Sequence, residues 1–226
     1  MSDAFPLSPI SARQELGKPL PEQIANFIAE KIFRGDYQPG ERLKEEELAN
    51  LFKTSRAPVR ESLYLLQIDG LVERLPRRGT VVKEYTNKEI QELYEVRLGL
   101  EQLAIDKLAF SWNDDAHQQF LAILSEMKTA LKDFDTISYA SHNAKFHKLL
   151  FKLAGNEILS RLYQQLGNPL TALLHLSVYK QEHMESSYHE HEEIVRALHD
   201  KRFQLAKELI SQNVNHGMNR AMQLRK

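Results

Sequence analysis

From Asn87 to the end of the chain, apolar residues recur at helical spacing almost without a break, and this run limits the fold more than any other feature. One apolar side chain every three or four residues gives a helix a single stripe to bury, and it can bury that stripe only against other helices. The pattern predicts helices near 87–110, 114–133, 136–154, 157–178, 185–199 and 202–223. At 154–157 the sequence Ala-Gly-Asn-Glu marks a clean break, with Gly155 suited to end a helix and Asn156 to cap the next. Pro169 is expected to kink or divide the long fourth helix. The reading is an all-α antiparallel bundle over residues 87–226, with a boundary at Thr86-Asn87.

The front of the chain is built differently. Residues 1–19 carry three prolines and little periodicity, so a flexible arm is expected. Ile24, Phe27, Ile28 and Ile32 define a helix that Gly35 ends, and Pro39-Gly40 centres a turn. A short helix follows with Leu48 and Leu51 inward. Ser55 can cap a third helix that tolerates Pro58 in its first turn, where no amide hydrogen is needed. Val59, Leu63 and Leu66 form its buried side, with Ile68 a weaker candidate, and Gly70 stops it. "LVERL" and "TVVKEY" read as two strands joined by "PRRG", a hairpin with a charged tip. Residues 20–86 are thus helix, helix, turn, helix, hairpin: a winged helix-turn-helix, making the whole chain mainly α with one small β-hairpin.

Charge concentrates in that segment. Lys53 to Lys83 holds seven basic and three acidic residues, an excess of four in a 226-residue chain of net charge −1. Arg56 and Arg60, four apart, share one helix face while Val59, Leu63 and Leu66 take the other. A guanidinium can grip guanine bidentately or clamp a phosphate, and a helix N-terminus with a serine can hold a phosphate too. Arg77, Arg78 and Gly79 give the hairpin a long positive tip whose glycine lets backbone approach a groove. A plain solvated face is the alternative for an isolated arginine pair. The order of elements, the Pro-Gly turn and the basic tip favour duplex DNA as the partner.

Other classes are constrained by what is missing. There are no cysteines, hence no disulfides, thiolate metal sites or cysteine nucleophiles. No apolar run approaches the roughly 18 residues of a membrane helix, and the N-terminus lacks the pattern of a signal peptide. A cytoplasmic protein with no membrane partner is expected.

These residues resemble a known family. "GDYQPGERLKEEELANLFKTSRAPVRESLYLLQIDGLVERLPRRGTVV" is similar to the N-terminal domain of GntR-type transcription regulators. "EVRLGLEQLA", "FHKLLFKLAGNEIL" and "HEHEEIVRAL" resemble the FadR-like subgroup with its helical FCD effector domain. The resemblance implies a homodimer on a palindromic operator. It implies that Ser55, Arg56, Arg60, Arg78 and Gly79 touch DNA; Arg77 joins them by charge and place. Glu46 stands where some relatives carry a basic, base-reading residue, so an identical operator is not expected.

The resemblance also implies a divalent metal inside the bundle, such as zinc or nickel. His147 and His191 match the family's ligands, whereas Asn143 and Asn213 replace a carboxylate and a histidine; His216, one turn on, could substitute for Asn213. Two imidazoles and two neutral amides make a weaker site. Three readings stay open: metal helped by a carboxylate on the effector, effector without metal, or two buried structural histidines. Arg97 pairs with Glu101 at i, i+4, as a surface ion pair or, on the resemblance, as a cavity clamp for an anionic small-molecule effector. Tyr94, Leu150 and Tyr163 are candidate lining or plain core, and His175 an interior residue; His117, His183 and His199 read as surface. The leading function is a ligand-responsive DNA-binding regulator, usually a repressor. The alternatives are an architectural DNA binder without effector and a metal-dependent hydrolase carrying a DNA module. No nucleophile–base motif supports the last.

Overall fold

A computed structural model of the chain describes residues 19–223, apart from the side chain of Asn168. The expected arm lies, but for Pro19, outside the described residues. Ten helices and one hairpin are found among them.

The N-terminal head is α1 (Leu20–Phe33), α2 (Glu45–Leu51), α3 (Arg56–Ile68), β1 (Val72–Leu75) and β2 (Gly79–Val82). Ile24, Ile28, Val59, Leu63 and Leu66 interlock as its core, as their spacing predicts. Leu51 and Ile68 are exposed, contrary to expectation. Each is the last residue of its helix, and Ile68 sits about 200° round from Leu66. The strands pair antiparallel from Val72↔Val82 to Leu75↔Gly79. Between them, Pro76 followed by Arg77 at φ +62° gives the Pro-then-left-handed sequence of a type II turn. The Pro-Gly segment lies along the other edge of β2, with Leu43 N–H donating to the Thr80 carbonyl and Val82 N–H to that of Glu41.

A capping box then starts α4 (Asn87–Ser111): Thr86 Oγ1 accepts from Glu89 N–H, and the Glu89 carboxylate accepts from Thr86 N–H. It is followed by α5 (Asp114–Lys132), α6 (Thr136–Leu153), α7 (Glu157–Gln165), α8 (Gly167–Ser177), α9 (Gln181–His199) and α10 (Phe203–Gln223). Asn113, Asp135 and Asn156 cap α5, α6 and α7 through their side chains. α10 packs along α4 and α9, and α5 along α6 and α9, around a core that includes Ile105, Leu108, Phe120, Met127, Phe146 and Ile210. The long fourth helix is divided, but at Gly167 rather than at Pro169. Gly167 takes φ +63° and ends the α7 path; Pro169 then sits in the first turn of α8, where its missing N–H costs nothing.

Head and bundle meet along α8. Ala172 of α8 belongs to the head's core, and His175 stacks on Phe33 of α1 at 4.0 Å; within the head, Tyr85 donates its hydroxyl to the Gly70 carbonyl.

Candidate DNA-reading surface and buried polar centre

On the head, α3 begins at Ser55, which has extended dihedrals but makes no side-chain cap hydrogen bond. Ser55 is exposed, and its hydroxyl is not used to cap the first-turn amides. Arg56 and Arg60 project from the same end, their side chains 55% and 63% exposed. Each leans on the preceding short helix: Arg56 is 3.0 Å from Glu46, and Arg60 Nε is 2.6 Å from Glu45. The wing tip joins this surface through the Pro-Gly segment, since Arg78 donates to the Gly40 carbonyl and the Arg42 guanidinium lies against Gly79. Ser55, Arg56, Arg60, Arg77 and Arg78 are exposed and Gly79 is half-buried. Arg42 was missed in the sequence; a basic residue two positions after the Pro-Gly turn was the available signal. Glu45 was missed too, as was the pairing of Glu46 with Arg56.

Inside the bundle lies a sealed polar cluster. Arg97 is 1% exposed and Glu101 and His147 are fully buried. Arg97 Nε donates to Glu101 Oε1 at 2.7 Å, and Arg97 Nη2 reaches His147 Nε2 at 2.8 Å. His147 Nδ1 lies 2.9 Å from Glu101 Oε2. The guanidinium can only donate, so His147 Nε2 accepts and its Nδ1–H donates to Glu101. Burial drives the Glu101 pKa upward, but Arg97 and then His147 outweigh it and hold the carboxyl at about 2. Burial lowers the pKa of His147, and burial followed by the nearby His147 lowers that of His191 to about 3, so both imidazoles are neutral. The surface ion-pair reading of Arg97 and Glu101 is thereby corrected: both point inward from α4.

Asn143, one turn before His147, is 3% exposed, and its Oδ1 has no hydrogen-bond partner. The Tyr94 hydroxyl, beside Arg97, is likewise sealed and unmatched, with the guanidinium 5.3 Å from its ring centroid. His191 Nδ1 lies 2.6 Å from the Ser187 carbonyl, so that nitrogen carries the proton. Its Nε2 is then a lone-pair acceptor, 3.4 Å from the Nε2 of His147, which also accepts. Tyr163 is buried against Phe151 and close enough to Glu101 and Arg97 to feel their charge. Leu150 is plain core.

Of the five expected metal ligands, His147 and His191 meet and Asn143 lies one turn before His147, whereas Asn213 and His216 are taken by Glu190. Asn213 donates its amide to Glu190 Oε2 at 2.7 Å, and His216 and Arg220 hold the other oxygen of the same carboxylate at 3.0 and 2.9 Å. That leaves the two imidazole nitrogens and the Asn143 oxygen, and a guanidinium already sits on His147 Nε2. A divalent ion needs three or four converging donors and would meet a like charge there. Among the described residues no group of three or more histidine, cysteine or acidic side chains could hold an ion. With that guanidinium in place the residues do not fit a metal in this arrangement. The other histidines divide: His199 is exposed, His117 and His183 half-buried, and His175 is interior but lies at the head–bundle seam.

A winged helix-turn-helix with an exposed basic edge, joined to a helical bundle that encloses a polar centre, defines a DNA-binding regulator of two parts. Residues 20–82 match the family described as "Bacterial regulatory proteins, gntR family", and residues 92–216 match the "FCD domain". The chain is 32% identical over 210 residues to the "Uncharacterized HTH-type transcriptional regulator YdhC" of Bacillus subtilis (strain 168), spanning 89% of this chain and 92% of that protein. It is 28% identical to the "Gluconate operon transcriptional repressor" of Bacillus licheniformis, over 84% of this chain and 80% of that protein. The solved structure of E. coli McbR/YncC shares the fold, with a TM-score of 0.70, 19% identity and coverage of 92% and 100%. The chain belongs to the GntR family of transcription regulators, in the group that carries an FCD domain. Both Bacillus relatives are named as transcription regulators.

Proposed function

We infer that this protein is a cytoplasmic repressor that binds a palindromic operator as a homodimer and answers to a small hydroxy-carboxylate. Residues 20–86 are the DNA-binding part and 87–226 the effector-binding and dimerising part. Ser55, Arg56, Arg60, Arg77, Arg78 and Gly79 meet the duplex. Arg97 meets the effector.

The observation that carries the effector reading is the sealed centre with mismatched polar atoms. Buried ion pairs are poor stabilisers, and orphaned acceptors are costly. Asn143 Oδ1 and His191 Nε2 both require donors, which hydroxyl groups supply, and Arg97 can grip a carboxylate. A hydroxy acid offers both, and one relative is named for a gluconate operon. For the dimer, Val96, Leu103 and Phe110 recur every seventh residue along α4 and are exposed, Phe110 by 90%. Such a stripe suits pairing with a second copy. Effector binding would alter the placement of two heads held at fixed half-site spacing.

The test is an anisotropy titration on duplexes selected by this protein from a random pool, with and without gluconate, alongside light scattering. Arg56→Ala should lose about 1–3 kcal/mol for the selected sequence. Arg77→Ala should weaken all DNA alike and flatten the salt dependence by about one charge. Phe110→Glu should yield monomers. Unchanged DNA binding in both arginine variants would remove the head from the duplex. An architectural protein would show no response to any hydroxy acid.

A further inference from the structure

The seam between head and bundle is not fully closed. A crevice of 330 Å³ opens where α1 and the hairpin face α8 and the end of α10. Its floor is apolar: Ile32, Leu71 and Val82 on the head side, Ala172, Leu176 and Ala221 on the bundle side. The rim is polar, with Arg34, Lys83 and Glu84, plus the rings of Tyr37, Tyr85 and Tyr179. Size, position between two structural units, and an apolar floor with a few polar groups at one edge are the properties of small-molecule sites. The buried Arg97 centre shares none of these residues.

We propose that this crevice is a second ligand site, for a small planar aromatic carboxylate. The floor, walled by aliphatic side chains from both units, takes a flat apolar body. Arg34 is already held by Glu30, so the anionic end goes to Lys83, whose contact with Glu89 is long at 3.5 Å. Lys83 is the better anchor: its ammonium already lies 4.4 Å over the Tyr85 ring and 3.5 Å from Glu89, so it is held at the mouth without being buried, its side chain 27% exposed. A neutral or cationic ligand of the same shape lacks that contact. Because the walls come from both units, such a ligand binds only while head and bundle are docked as they are here. It therefore favours this arrangement over any other head placement, independently of what occupies the bundle centre.

Calorimetric titration of the full-length protein with 2-naphthoate, and with naphthalene-2-carboxamide as the neutral match, tests this. One site per chain is expected, with the carboxylate favoured up to about fivefold, the range for a partly exposed charge pair. Lys83→Gln should erase that preference while leaving carboxamide binding in place. Leu176→Trp, filling the floor, should abolish both. The proposal is overturned by absence of saturable binding, by binding that persists in a folded Leu176→Trp variant, or by a carboxylate preference that survives in Lys83→Gln. The last criterion holds even if Leu176→Trp does not fold.

Discussion

Arg97 Nη2 and His147 Nε2 meet at 2.8 Å in the dry interior of the bundle, so a side-chain cation occupies the nitrogen lone pair that a metal ion would use. Zinc or nickel must displace that guanidinium and strand it beside Glu101 alone. Added at about 100 times a micromolar dissociation constant, a metal that bound only the native state would stabilise it by about 2.7 kcal/mol. The expected result is no rise in melting temperature with zinc or nickel and no stoichiometric metal in the purified protein by native mass spectrometry. A clear upward shift that vanishes in His147→Ala would show that the centre rearranges to admit metal.

The same contacts predict how the centre bears mutation. Arg97→Ala leaves the buried Glu101 carboxylate with only the His147 N–H, and breaking a buried pair from one side costs about 3–5 kcal/mol. Replacing both, Arg97→Met with Glu101→Leu, removes the stranded charge and should recover much of that loss. Urea denaturation of the two variants decides the matter. A single substitution costing under about 1 kcal/mol would mean that water or a nearby group already shields Glu101.

Acid should loosen the fold well before the carboxylates titrate. His191 and His175 are neutral in the folded protein, burial being the main cause, with pKa values lowered from 6.5 to about 3 and about 4. Between those values and 6.5 the unfolded chain binds more protons than the folded one, so stability falls as pH falls. The slope is at most about 1.4 kcal/mol per pH unit for each histidine. Below pH 4.5 the depressed Glu101 adds a loss of the same sign, complete near its folded value of about 2. Melting temperatures from pH 7 to 4 should drop steeply, and His175→Phe, which preserves the stack on Phe33, should flatten the curve. Identical pH profiles for the two proteins would contradict a neutral His175.

Local rules made the helix periods, the turns and the basic wing readable in the sequence, because each follows from near neighbours. Asn156 as a cap and Gly155 as a stop are of this kind. What escaped depends on partners far along the chain. Nothing near Asn213 announces that Glu190 will claim its amide, and nothing near Arg97 announces His147, fifty residues on. The break at Gly167 rather than Pro169 shows the same limit: both residues interrupt helices, and only the path of α8 into the seam decides which one does. Leu51 and Ile68 keep helical spacing yet end their helices, where little lies beyond to cover them.

Glu46 stands 3.0 Å from Arg56 on the exposed edge. Where Arg56 meets a phosphate, as proposed, that carboxylate would compete with it for the guanidinium. Glu46→Gln frees Arg56 and removes a negative charge, so non-specific DNA affinity should rise about two- to fivefold at low salt, the scale of an exposed pair. Because the gain is electrostatic, it should shrink as salt increases. Anisotropy titrations at two ionic strengths measure it. A fall in affinity would mean that Glu46 itself reads a base, as an acceptor from cytosine does.

Gly70 and Gly155 form a matched pair for the seam. Both take positive φ, +70° and +66°, which costs an ordinary residue about 1–2 kcal/mol. They differ in surroundings. A Cβ on Gly155 would meet nothing within 4 Å, whereas one on Gly70 would lie 2.8 Å from Pro169 Cγ and 2.9 Å from the Tyr85 hydroxyl. Pro169 is ring-bound on α8, and the hydroxyl is tied to the Gly70 carbonyl, so neither can yield freely. Gly155→Ala should cost only the backbone term, while Gly70→Ala adds an overpacking term of about 1–3 kcal/mol. It should also shift how the head rests on α8, making that variant more open to proteolysis between residues 83 and 90. Equal stability losses and equal cleavage rates would mean that head and bundle do not press together at Gly70.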